Sequence, residues 1–123
     1  MPARGIGRAQ VTPGGGRKAL VYPGSGVRSE LLTPDLRRTL QMMWVVIPPG
    51  EGTGETPLVQ EGEECGLVVQ GELEILVGEG DELERHVLAA GDAIYRGRGV
   101  AHRSRNLGTT DAIVVVATTP PSV

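Results

Sequence analysis

The sequence predicts an all-β fold, a sandwich or closed barrel, and three observations carry that prediction. The apolar residues are almost all aliphatic, with no Phe, one Trp and two Tyr. A core of Val, Leu, Ile and Ala suits strands, because branched side chains pack well on a pleated surface. Gly (19) and Pro (9) are scattered between short apolar runs, which reads as many turns joining many strands. No amphipathic stretch is long enough for a helix, and Asp35–Leu40 offers one turn at most.

The strands follow in chain order. Ala19–Tyr22 is stopped by Pro23 and Gly24, and Val27–Thr33 by Pro34-Asp35. Leu40–Ile47 is a nearly continuous apolar run whose Val-Val-Ile and closing Pro-Pro-Gly favour a buried strand over a helix. Glu64–Val69 and Glu72–Val77 flank Gln70-Gly71, which reads as a two-residue hairpin turn with Gly where positive φ is required. Leu83–Leu88, Ala93–Tyr95, Ala101–Asn106 and Ala112–Ala117 complete the set, separated by turns that contain Gly. A closed double sheet also removes the exposed edges that such an aliphatic chain would otherwise present.

At 123 residues the chain has room for one core. Residues 1–17, rich in Gly and poor in large apolar groups, read as a flexible arm, and residues 18–123 as the domain. The net charge of −3 carries no footprint for nucleic acid, and the basic residues before Arg38 lack interleaved aromatics. A lone cysteine, Cys65, excludes an internal disulfide and fits a reducing compartment; it reads as a packed small hydrophobe. No apolar run approaches the roughly 20 residues that cross a bilayer, and no secretion signal opens the chain. The expected location is the cytoplasm, with no membrane contact.

Two segments resemble the paired motifs of the cupin superfamily. The first motif runs Gly, five residues, His-x-His, three or four residues, Glu, six residues, Gly. Here Gly52, Leu58-Val59-Gln60, Glu64 and Gly71 hold those places, and both histidines are replaced. The second runs Gly, five residues, Pro-x-Gly, two residues, His, three residues, Asn. Gly91, Gly97, Gly99, His102 and Asn106 match it, with Gly97 where Pro is usual. The stretch from Gly62 to Glu79, the Gly91-Asp92 pair, His102–Asn106 and the closing TTPPSV resemble the C-terminal sensor cupins of bacterial helix-turn-helix regulators. The resemblance implies a double-stranded β-helix, or jelly-roll barrel, that dimerises.

In cupins the two His, the Glu and the later His converge inside the barrel on a divalent metal. Carried over, those positions are Leu58, Gln60, Glu64 and His102. Leu58 has no donor and Gln60 only a neutral carbonyl oxygen, so a metal would rest on Gln60, Glu64 and His102, a weaker set than catalytic zinc uses. The expectation is a pocket without metal or other cofactor, lined by Leu58, Gln60, Glu64 and His102, with Met42 and Trp44 as apolar wall. It would bind an unidentified small molecule without catalysis, as the sensing part of a transcriptional regulator. The alternative left open is a metal-dependent dioxygenase, isomerase or decarboxylase with a reduced Gln–Glu–His site. Neither the ligand nor the presence of a DNA-binding part is readable from these residues.

Overall fold

A computed structural model describes residues 8–21 and 25–121. Nine strands form where the apolar runs lie: β1 Lys18–Val21, β2 Arg28–Leu31, β3 Gln41–Ile47, β4 Glu63–Gln70, β5 Glu72–Val77, β6 Glu84–Ala89, β7 Ala93–Arg96, β8 His102–Arg105 and β9 Ala112–Thr119. The larger sheet has the order β1-β2-β3-β9-β4-β7 and the smaller β6-β5-β8, and every pairing is antiparallel. Among the described residues there is no α-helix, and residues 36–39 form bends. No helix there is long and apolar enough to cross a membrane.

Of the expected arm, residues 1–7 lie outside the described residues, as does Tyr22 at the end of the first expected strand. Residues 14–16 make one 3₁₀ turn, and Arg17 stacks its guanidinium over Trp44 at 4.7 Å while bonding Glu30 at 3.2 Å. A second 3₁₀ turn spans Gly80–Glu82.

The two sheets face each other, and the core between them joins Ile47, Val68, Leu73, Ile75, Ala112 and Val114. Strand β4 carries the alternation that produces this arrangement: Glu64, Gly66 and Val68 are buried, while Cys65, Leu67 and Val69 face outward. Cys65 is therefore exposed, not packed as its apolar character suggested; the side-chain period of two puts it on the face opposite Glu64.

Gln70-Gly71 also differs from expectation. The strands it joins belong to different sheets, so it is a crossover corner, not a hairpin turn. A register shift between Val68 and Gln70 bends β4 toward the second sheet, and Gly71 follows at φ 79°. A Cβ there would lie 2.7 Å from the Asp111 carbonyl oxygen, so only Gly suits the corner.

Asn106 closes one end of the barrel. It is fully buried and donates from its side-chain nitrogen to the Ile47 and Thr110 carbonyls, both at 2.8 Å, while its Oδ1 accepts from Gly108 N at 2.8 Å. Its backbone also exchanges bonds with Gly50 and Glu51. One residue thus ties the end of β3 to the loop leaving β8. Asn106→Ala leaves three backbone groups without partners, at about 1 kcal/mol or more each. A loss of about 3–5 kcal/mol in urea unfolding is expected, and a loss below about 1 kcal/mol would refute the clamp.

Candidate functional site

The polar residues of the interior are arranged by strand register. Glu64 lies directly across from Arg96 on one side and Thr118 on the other, and Thr118 lies across from Gln41. Arg96, Glu64, Thr118 and Gln41 therefore form one row across β7, β4, β9 and β3, all buried and all facing inward. The next inward row is Ile94, Gly66, Val116 and Met43, apolar apart from a glycine with no side chain. Below it lie Val68, Val114 and Val45, which belong to or pack on the core. The larger sheet thus runs from a polar row through an open one to an apolar floor.

These rows enclose a cavity of about 330 Å³, small among ligand sites, which usually span roughly 300–1,000 Å³. Ser25, Gly52, Thr53 and Ser104 line both this cavity and a second, more polar groove. The segment between β3 and β4 is laced to β8. Leu58 N donates to the His102 carbonyl at 2.8 Å, His102 N to Leu58 O at 2.9 Å, and Thr53 N to Ser104 O at 3.0 Å. Gly99 N donates to Gln60 O at 3.0 Å, which holds Gln60 beside the turn before His102.

At the centre of the site Arg96 Nη2 is paired with Glu64 Oε1. The other carboxylate oxygen accepts from Thr118 Oγ1 at 2.9 Å. Both ions are more than nine-tenths shielded from solvent, a placement tolerable only because each compensates the other. His102 Nε2 stands 3.9 Å from Glu64 Oε1, and Nδ1 is buried without a well-formed hydrogen bond. Burial, and after it the charge of Arg96, push this imidazole down from 6.5 to about 4, the backbone at Val100 opposing. Burial also lowers Arg96 from its usual value to about 10, so the guanidinium is still charged at neutral pH.

Of the expected pocket residues, Leu58, Gln60, Glu64 and His102 all line the cavity. Met42 and Trp44 do not. The inward set of β3 is Gln41, Met43, Val45 and Ile47, and Trp44 lies on the outer face under Arg17. The alternation of β3 decides this, and an apolar run on both faces hides which set points in. Arg96, Gln41, Thr118 and Gly66 were not expected. Ile94 and Arg96 are two apart, so a buried Ile94 would have implied an inward Arg96, but only the register brings Arg96 opposite Glu64.

These residues do not fit a divalent metal. Leu58 offers no donor, Gln60 a neutral oxygen, and the Glu64 carboxylate is already engaged by a guanidinium and a hydroxyl. A cation entering among Glu64, Gln60 and His102 would have to displace Arg96 or sit beside it. Among the described residues no three His, Cys, Asp or Glu side chains are grouped to hold one.

The depressed imidazole has a consequence for stability. In the unfolded chain His102 takes up a proton near pH 6.5, whereas in the fold it stays neutral down to about 4. The unfolded state therefore binds more protons between those values, and stability falls as pH falls through that window. Between pH 7 and 5 the wild type should lose about 2 kcal/mol more than His102→Gln, measured by urea unfolding at each pH. Equal losses in both proteins would show that His102 is not held neutral.

The comparisons agree with this architecture. No curated protein sequence matches the chain at a significant level. Among solved structures, an oxalate oxidase is 25% identical at a TM-score of 0.69, over 80% of this chain and 54% of that one. The chain thus spans about half the length of the oxalate oxidases it matches. KdgF from Halomonas sp. is 22% identical over 93% of this chain and 96% of its own, with a TM-score of 0.74. An RmlC-like cupin from Shewanella frigidimarina is 19% identical over 91% of each chain, with a TM-score of 0.73. The family profile described as "Cupin domain" matches residues 43–118, which take in both motifs, all four inherited positions and the polar row from Thr118 to Arg96. With that profile over more than half of its length and two antiparallel sheets packed face to face, the chain belongs to the cupin domain family.

Proposed function

We propose that this cupin holds a small organic molecule inside its barrel, without a metal and without catalysis. The observation that carries this reading is the Glu64–Arg96 pair, which places an internal cation where the family's motif would direct a metal. Leu58 and Gln60 support it, since both replace imidazole donors. Gly66 supports the open pocket. A glycine in the middle of a strand sacrifices β propensity, and a Cβ there would meet only ordinary contacts, the nearest at 3.5 Å from Val114 Cγ1. The missing side chain leaves space beside the polar row.

A sensing role within a transcriptional regulator is the specific form of this reading, and its support is the motif resemblance. A homodimer in the cytoplasm belongs to the same proposal. Its support is that β1 and β7 are the larger sheet's edges among the described residues, with Leu67 and Tyr95 exposed on the outer face beside β7. Light scattering at the mass of one chain would remove the dimer from it. The second reading is a metal-dependent cupin enzyme, and the likeness to an oxalate oxidase favours it. The donor set weighs against it.

Two measurements separate the readings. Elemental analysis of purified protein is expected to find no stoichiometric iron, manganese, nickel or zinc. Near-equimolar metal that is lost in the Glu64→Ala/His102→Ala variant would move the assignment to the enzyme. Gly66→Val is expected to stabilise the ligand-free protein by roughly 0.5–1 kcal/mol through restored strand propensity. The same change should weaken, by about tenfold or more, binding of a ligand found by thermal-shift screening that lies beside the polar row, because it occupies part of the cavity there. Unchanged binding in Gly66→Val would place the ligand outside the barrel.

A further inference from the structure

The pocket's own charges narrow what it can accept. Among the described residues that line the cavity, only three side chains titrate or carry charge: Glu64 from β4, Arg96 from β7 and His102 from β8. Arg96 and Glu64 cancel each other, and His102 carries no charge at neutral pH. The interior is therefore polar at one end and electrically balanced as a whole. The remaining lining is aliphatic, chiefly Met43, Val45, Ile94 and Val116 beyond the polar row, or hydroxyl and amide in character.

Among the described residues lining the cavity, His102 Nδ1 is the buried side-chain polar atom without a hydrogen-bond partner. Polar capacity thus remains at the row without net charge to match an ion. An anionic ligand would have to compete with Glu64 for Arg96, leaving two negative groups around one cation out of water. A cationic ligand would compete with Arg96 for Glu64 and meet the mirror-image penalty. An uncharged carbonyl or hydroxyl meets neither. Its oxygen can accept from the row, and an apolar body can lie over Gly66 toward the aliphatic floor.

We propose that the barrel selects an uncharged ligand, with a carbonyl, amide or hydroxyl end and a compact aliphatic or aromatic body, and rejects carboxylates of the same shape. This rests on the small-molecule reading above and states the ligand class for that site. A small dicarboxylate is disfavoured for the same reason, because the only cation among the described residues lining the cavity is already neutralised within the fold.

The test uses shape-matched pairs, isovaleramide with isovalerate, isocaproamide with isocaproate and benzamide with benzoate. Binding is followed through protein amide shifts and calorimetry on the full chain. At pH 8 the amides should bind at least about 100-fold more tightly than the carboxylates, a gap of the size expected when a charge is stripped of water without a free partner. As pH falls toward the ligands' own carboxyl range, apparent affinity for the acids should rise about tenfold per pH unit, because the neutral acid is the bound form. Amide binding should stay level from pH 8 to 6.

Glu64→Gln leaves Arg96 unbalanced and should shift the amide-to-carboxylate ratio at least tenfold toward the carboxylate. The wild-type pH series decides the matter even if that variant fails to fold. Carboxylates that bind wild type at pH 8 as well as their amides would overturn the selectivity and leave the small-molecule reading intact. Failure of all six probes would count against that reading itself, and the selectivity would fall with it.

Discussion

The interaction on which the site depends is the buried pairing of Glu64 with Arg96. A carboxylate inside an aliphatic barrel is tolerable only with a compensating cation at contact and its remaining oxygen satisfied, and Arg96 and Thr118 supply both. The pairing is a product of register: β4 is flanked by β7 and β9, so the three side chains are cross-strand neighbours in one row. Arg96 then adds to burial in holding His102 neutral. Burial and this one pair together set the charge of the titratable groups that line the cavity among the described residues.

The barrel divides its work between its ends. Asn106 and the aliphatic cluster of Ile47, Val68, Leu73, Ile75, Ala112 and Val114 close one end by hydrogen bonding and apolar burial. The polar row occupies the other, and Gly66 keeps the space between them from being filled. A strand glycine carries less β propensity than a branched residue would, so an open row of this kind is a cost to the scaffold. Stability surrendered in a cavity beside convergent polar groups is what a binding site looks like energetically.

Much of the fold was legible in the sequence because its punctuation is strong. Pro48-Pro49-Gly50 ends β3, and the glycines before β5, β7 and β8 mark turns wherever the chain reverses or crosses. What was not legible is non-local. Gln70-Gly71 has the chemistry of a hairpin, and only the sheet membership of β4 and β5 shows it to be a corner. Apolar residues cover both faces of β3, so periodicity gave no means of choosing Met43 over Trp44 for the interior. Glu64 and His102 were found through motif spacing, whereas Arg96 lies outside either motif's ligand positions. Nothing in a local window around Arg96 says that Glu64 is its partner 32 residues earlier.

Replacing a metal by a guanidinium changes the physics of a cupin interior in a definite way. A divalent ion brings two charges, demands at least three good donors and leaves open coordination positions where an anion or water can be activated. A guanidinium brings one charge, is satisfied by a carboxylate and offers only hydrogen bonds in fixed directions. It is covalently part of the chain, so the pocket's charge does not depend on the supply of an ion. It has no vacant orbital with which to polarise a bound group as a Lewis acid. A barrel wired in this way can orient and hold a molecule, and its preference is set by shape and hydrogen bonding over an electrically balanced row. On the function proposed above, recognition rather than bond-breaking falls to the same strands that the family uses to present a metal.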